Sequence, residues 1–173
     1  MRLAGATTWG GRMIGCWLLA TLAALPVAGE EADALGARVR QTLAADAELA
    51  ARGAQLAVEE RGGVVRLSGT VRLYADKLRA ERIVRATAAE RRIDNQVHVA
   101  PLMPASDREI KRAIVSIGKW SRFQGAGMQI TVRGGAVRVR GTFHDPSDVL
   151  VLTEQIAAIE GVRAIEIDAL YPV

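Results

Sequence analysis

Alternating apolar and polar residues occur in two nearly identical stretches of the chain. Residues 61–71 read RGGVVRLSGTV and residues 133–143 read RGGAVRVRGTF. The distance along the chain from Gly62 to Gly134, here called the repeat offset, also separates the other matching positions. In each stretch an apolar face alternates with a face that carries arginine, which is typical of a half-buried strand. The glycine pair supplies the positive φ angles of a tight hairpin turn. The sequence therefore predicts two copies of one hairpin-containing module.

Helical spacing of apolar residues occurs before and after each hairpin. The preceding helix has its apolar positions at Leu35, Val39 and Leu43 in the first copy and at Ile110, Ile114 and Ile117 in the second. Ser106 and Glu109 form a capping box at the start of the latter helix. The following helix is predicted from about Asp76 to Glu90 in the first copy. In the second copy it begins at Asp145-Pro146, an N-cap followed by proline.

A further alternating segment closes each copy, at residues 93–99 and near residues 162–167. The order helix, strand, strand, helix, strand predicts an α/β fold of the α+β two-layer sandwich type, with two helices on a three-stranded mixed sheet. We predict module 1 at residues 33–100, a linker at 101–106 and module 2 at 107–173. The other face of each sheet is expected to be uncovered.

The N-terminal segment has the pattern of an export signal. Arg2 and Arg12 accompany an uncharged apolar run from Met13 to Leu25, which small residues follow. We predict a signal peptide at residues 1–29 and a periplasmic mature protein. A retained membrane anchor is the alternative, although the run is shorter than the ~20 residues of a spanning helix. Cys16, the only cysteine, would leave with the signal, so the folded part would lack cysteine chemistry.

Charge and motifs argue against nucleic-acid binding and against catalysis. The chain has 23 basic and 19 acidic residues, and removal of Arg2 and Arg12 would leave 21 basic residues and a net charge of +2. The two histidines, His98 and His144, have no metal-ligand spacing, and we interpret the Asp145 beside His144 as a helix cap. No arranged nucleophile or base is evident, so we predict neither enzyme activity nor a cofactor or metal site.

The repeats resemble the BON (bacterial OsmY and nodulation) domain family. The first copy matches through G-x-V-x-L-x-G-x-V at residues 63–71 and I-x-N-x-V-x-V at residues 93–99. Matching positions in the second copy are Gly135, Val137, Val139, Gly141 and the pair Gly161-Val162. Ala89-Glu90 and Ile167 depart from the family pattern. The resemblance implies a non-enzymatic periplasmic protein of osmotic-stress or envelope maintenance that binds phospholipid surfaces, and it supplies no catalytic residue.

Aromatic rings among cations form the candidate lipid-contact site, at Lys119, Trp120, Arg122 and Phe123. Aromatic rings favour the headgroup zone of a bilayer, and cations favour anionic lipid. The alternative interpretation is that Trp120 caps the small core of its module, because a buried tryptophan dominates core energetics.

Arginines on the polar side of the central strands form a second candidate surface, a basic sheet face. It could meet lipid phosphates or an acidic partner, and it consists of Arg66, Arg72, Arg138 and Arg140. The alternative is an ordinary solvated face, paired with Glu59 and Thr131 on the neighbouring strands.

These features together predict a periplasmic tandem protein that associates with anionic phospholipid of the envelope. The alternative function is a protein–protein adaptor that presents sheet faces or edges to another envelope protein in an assembly. A third function, binding of a small ion or ligand, has no acidic cage in the sequence to support it.

Overall fold

Five α-helices and six β-strands form the part of the chain that the computed structural model describes, residues 28–123 and 126–172. Most of the predicted signal peptide, including Cys16, lies outside the described residues. The elements of module 1 are α1 (Ala28–Ala44), α2 (Ala47–Ala51), β1 (Gln55–Arg61), β2 (Val64–Val71), α3 (Tyr74–Thr87) and β3 (Arg92–Val99). Those of module 2 are α4 (Asp107–Gly118), a 3-10 turn (Ser121–Phe123), β4 (Gln129–Arg133), β5 (Ala136–Thr142), α5 (Pro146–Ala157) and β6 (Ala164–Leu170).

Each module contains a three-stranded mixed sheet, which confirms the predicted fold class. The first two strands pair antiparallel across the glycine turn, and the third pairs parallel with the second. Val65 lies opposite Ile93, and one repeat offset later Val137 lies opposite Ile165. The turn glycines have φ angles between 57° and 79°. The sequence repeat is therefore a repeat of strand register as well.

The two modules have separate hydrophobic cores, each between a sheet and its helices. The buried core of module 1 comprises Val39, Leu43, Leu49, Val58, Val65, Leu67, Val71, Ala80, Val84, Ala88, Val97 and Val99. That of module 2 comprises Ile110, Ile114, Ile117, Phe123, Ala126, Val137, Val139, Phe143, Leu152, Ile156 and Val162. On the opposite face of each sheet most side chains are exposed. One face of each sheet thus remains available to solvent.

Helix α3 begins at Tyr74, two residues before its predicted start at Asp76. The Asp76 carboxylate accepts the Leu73 N–H at 3.3 Å, so it caps the helix from the third position rather than from the residue before it. Only 1% of Asp76 is exposed. The helix ends at Thr87 instead of near Glu90, and a turn then leads into β3.

Tyr74, at the start of α3, also packs against the core of module 2. Its hydroxyl lies near the backbone of Ile165 on β6. A second contact joins Arg82 Nη1 to Glu154 Oε1 at 3.2 Å, and these residues occupy equivalent sites of the two copies. Because that ion pair is exposed, it contributes little free energy. Burial of Tyr74 is therefore the main contribution of these contacts to docking.

The contact of Tyr74 with module 2 can be tested through the pKa of its phenol. Burial raises the pKa of its phenol above the usual value, and the nearby Glu81 carboxylate raises it further. In a Tyr171→Phe variant Tyr74 is the remaining tyrosine, and we expect its phenolate absorbance to appear at higher pH in the folded protein than in urea. The raised pKa stabilises the fold below the unfolded pKa, and this contribution is lost as the pH rises through the folded pKa. Coincident folded and unfolded titrations would contradict the contact.

Candidate functional site

Helix α4 is fixed at its start by the capping box that the sequence predicts. Glu109 Oε2 accepts the Ser106 N–H at 2.9 Å, and Ser106 Oγ accepts the Glu109 N–H at 3.4 Å. Ser106 Oγ also donates to Glu109 Oε2 at 2.6 Å, and this bond, together with that from the Ser106 N–H, lowers the pKa of the Glu109 carboxyl. Ile110, Ile114 and Ile117 are buried against the sheet, so the helix has one inward and one outward face.

The outward face of α4 and the residues just after it combine cations with exposed apolar side chains. Val115 is 42% exposed, and Trp120, just beyond the helix, is 46% exposed. The exposed cations beside them are Arg108, Lys111, Arg112 and Lys119. No salt bridge between described residues includes any of these four. We call these six residues the α4 basic face.

Phe123 requires a correction to the candidate lipid-contact site. It is 3% exposed and belongs to the module 2 core, so its ring is not available to a bilayer in this structure. The rings of Trp120 and Phe123 stack, with centroids 6.4 Å apart and planes at 24°. The buried ring of Phe123 therefore packs against the inner side of the Trp120 indole, and the outer part of the indole contacts solvent. The sequence expectation of two surface aromatics applies to Trp120 alone.

Arg122, a second member of that site, pairs with a carboxylate. Its Nε hydrogen-bonds Asp148 Oδ1, and its Nη2 donates to Ser147 Oγ at 3.0 Å. Asp148 is 8% exposed and lies in the first turn of α5. Since a poorly solvated carboxylate needs its cation, this pair fixes the residues after α4 to the start of α5.

Module 1 contains the same arrangement. Arg52, which follows α2, places its Nη1 2.5 Å from Oδ1 of the buried Asp76. Asp76 and Asp148 are separated by the repeat offset and occupy the third position of equivalent helices. The sequence predicted Asp76 at the start of its helix and places Asp148 three residues after the predicted cap Asp145, but only the fold shows that each is buried against an arginine. Arg122 is therefore primarily a partner of Asp148.

The basic sheet face is largely neutralised by acidic residues on the third strand of each sheet. The pairs are Arg66–Asp94 at 3.1 Å, Arg138–Glu166 at 2.6 Å and Arg140–Asp168 at 3.5 Å. Each joins residues directly opposite each other in the parallel register. Glu59 and Thr131 do lie opposite Arg66 and Arg138 on the first strands. Arg72 is exposed just after β2. The sheet faces are therefore ladders of opposite charges rather than uniformly cationic surfaces.

Module 1 matches a known protein family. Residues 32–101, from within α1 to just beyond β3, match the family model described as the BON domain. Module 1 is a BON domain. This confirms the family that the glycine and valine motifs indicated. Module 2 repeats the BON element order and strand register.

Two solved structures also resemble the chain, and both are of CdsD, a structural protein of the type III secretion system of Chlamydia trachomatis. The first is 14% identical with a TM-score of 0.34, and the match covers 81% of this chain and 63% of that chain. The second, the C-terminal domain of CdsD, is 16% identical with a TM-score of 0.33, over 81% and 67%. The chain thus spans less than two thirds of the first of these. No curated protein matches it.

BON domains are a non-catalytic, binding type of domain with envelope-associated roles. His98 and His144 are both exposed here, and Asp145 caps α5 by accepting the Ser147 N–H at 2.7 Å, which lowers the pKa of Asp145. Within residues 28–123 and 126–172 no three metal-ligating side chains lie close enough to hold an ion. In the same residues, no helix has both the length and the apolar character to span a bilayer.

Proposed function

We propose that the chain is an exported tandem BON protein, with module 2 as a second member of the family, that associates with anionic phospholipid of the envelope through the α4 basic face. The observation that carries this proposal is the combination of four exposed cations with exposed Val115 and Trp120 on one side of module 2. Envelope or osmotic-stress maintenance is the role in which such an association would serve. The N-terminal export pattern supports a periplasmic location.

Two interactions would hold the α4 basic face on a membrane. The indole of Trp120 suits the headgroup zone, where its apolar ring and its N–H both find partners. The four cations are attracted by an anionic leaflet, and they give up no ion pair between described residues on approach. Because exposed charges are screened within ~10 Å at 0.1 M salt and ~3 Å at 1 M, binding should weaken as salt rises.

Replacement of Trp120 by serine tests the proposal. We expect it to weaken binding to phosphatidylglycerol vesicles by about tenfold, the effect of losing one interfacial ring. The melting temperature should change little because nearly half of Trp120 is exposed. Co-sedimentation with vesicles measures the binding, and calorimetry measures the melting temperature. Phe123 is left intact because its removal would damage the core.

Leu102→Ser is the matched control, since Leu102 is 65% exposed but lies in the linker, outside the α4 basic face. It should bind vesicles as the unmodified protein does. Lys111→Glu with Lys119→Glu should abolish the preference for phosphatidylglycerol over phosphatidylcholine. Equal binding by the Trp120 and Leu102 variants, or a large loss of stability in Trp120→Ser, would refute the α4 basic face as the contact.

The second candidate function is an adaptor that holds another envelope protein. The observation that favours it is a strand edge in module 2 that, among the described residues, lacks the protection present at the equivalent edge of module 1.

A further inference from the structure

We infer that the outer edge of β4 is a docking edge for an acidic, extended segment of a partner protein, which would add a fourth strand to the sheet β4-β5-β6. This inference rests on the adaptor function and names its site and the chemistry of its partner. It is independent of lipid binding by Trp120.

The hairpin register determines which backbone groups of β4 point outward. The two-residue turn joins Arg133 and Ala136 as a hydrogen-bonded pair, and such pairs alternate along antiparallel strands. Ile130 and Val132 are therefore the non-bonded positions. Their N–H and C=O groups point away from β5, along the edge where an added strand would pair.

The equivalent edge of module 1 is capped by a helix side chain. Val58 lies opposite Leu67, as Ile130 lies opposite Val139 at the equivalent place in module 2. The carbonyl of Val58 accepts a hydrogen bond from Arg40 Nη1 of α1 at 3.2 Å. Among the described residues, no side chain of α4 makes such a bond to the backbone of β4. The two copies therefore differ at this edge.

The outer edges of the third strands, β3 and β6, are also protected. On β3 the outward N–H of Val97 donates to Asn95 Oδ1 at 3.1 Å, so the strand caps itself. On β6, Tyr74 of module 1 packs against module 2 and lies near the backbone of Ile165. Within residues 28–123 and 126–172, β4 is thus the outer strand whose edge has no such cap. Natural proteins usually protect edges of this kind, so an unprotected one is a candidate for strand addition.

The charges around β4 select an acidic occupant. Asp107 accepts the Gly134 and Gly135 N–H groups at 2.8 and 2.9 Å, so the start of α4 is tied to the far end of the hairpin. Helix α4 therefore lies beside β4, with its cations on the outward face of the helix, and exposed Arg133 adds a further cation at the end of β4. Pairing with the β4 of a second copy would bring two cationic helices together, and like charges oppose that arrangement. An acidic extended segment would pair with the outward backbone groups of β4 and would also be attracted by the nearby cations.

The test uses an acetylated, amidated peptide of alternating glutamate and valine, with the lysine–valine peptide as its charge control. We expect the acidic peptide to bind the full chain and to slow hydrogen exchange at the Ile130 and Val132 amides, while the basic peptide does neither. Val132→Pro removes one outward N–H and should weaken binding by about tenfold, the effect of one lost hydrogen bond. Val132→Ala keeps that N–H and should bind within about twofold of the unmodified chain.

A charge variant keeps the test decisive if the proline variant does not fold. Lys111→Glu with Arg133→Glu leaves the backbone intact and should weaken binding of the acidic peptide and reduce its preference over the lysine–valine peptide. An acidic peptide that leaves both amides unprotected would overturn the inference. So would protection that appears without peptide as the protein concentration rises, which would indicate a second copy, or protection by anionic vesicles instead of peptide.

The same measurements separate this inference from the lipid proposal. Trp120→Ser should weaken vesicle binding and keep peptide binding, whereas Val132→Pro should keep vesicle binding and weaken peptide binding. Loss of both activities in Trp120→Ser would contradict the independence of the edge.

Discussion

Replacing Gly69 with alanine should remove about 4 kcal/mol or more from the unfolding free energy of module 1, a value typical of severe core or backbone defects. Gly69 has a φ of +120°, which a residue with a side chain rarely adopts. A Cβ atom there would lie 1.9 Å from the Gln55 carbonyl oxygen and 2.9 Å from its carbon. Because both obstacles are backbone atoms of β1, the hairpin itself would have to open. Urea unfolding followed by circular dichroism measures the loss.

Gly62→Ala is the control that separates backbone strain from close approach. Gly62 also has a positive φ, +59°, but nothing lies within 4 Å of the position that its Cβ would take. It should therefore cost only the ~1–2 kcal/mol of placing a side chain in the left-handed region. Similar losses in the two variants would show that β1 does not approach Gly69 as closely as the structure has it.

Gly69 also shows how far the sequence determines the fold. Alternation and the repeat offset predicted both hairpins, their turns and the order of the main elements, since each depends on local periodicity, but not the short helix α2. The family pattern places glycine at this position, but the reason is the neighbouring strand β1, whose backbone at Gln55 approaches it. A contact between strands has no local signal.

The candidate site was less predictable for the same reason. The local pattern placed two aromatics among cations, but it could not show that Phe123 faces the core and Trp120 faces solvent. The partners of the sheet arginines are also distant in sequence, since Arg66 on β2 pairs with Asp94 on β3 through the parallel register. One signal was present in the sequence: the aspartates at positions 76 and 148 share the repeat offset. Their burial, however, depends on tertiary packing.

The second large loss of stability is expected when one of those buried aspartates loses its arginine partner. Arg52→Met should destabilise module 1 by about 3 kcal/mol, because it removes the cation from a buried carboxylate. The side chain of Asp76 is 1% exposed, so water cannot replace the arginine. Arg66→Met is the control, since the Arg66–Asp94 pair has side-chain exposures of 55% and 37% and should contribute within about 0.5 kcal/mol. Chemical denaturation of both variants gives the comparison.

A double variant separates loss of the pair from loss of packing. If the unpaired carboxylate is the cause, Arg52→Met combined with Asp76→Asn should be more stable than Arg52→Met alone, because the buried charge is gone. No recovery would assign the loss to the aliphatic part of Arg52.

The pair in module 2, Arg122–Asp148, tests whether this repeated ion pair is only structural or whether its arginine also contacts lipid. Arg122→Met should also destabilise its module, because Asp148 would lose its partner, although less than Arg52→Met since the Asp148 side chain is 12% exposed. Vesicle binding by the folded fraction should remain, since the α4 basic face keeps its cations and Trp120. A variant that keeps its stability but loses vesicle binding would make Arg122 a lipid contact, as its position among cations and aromatic rings first suggested.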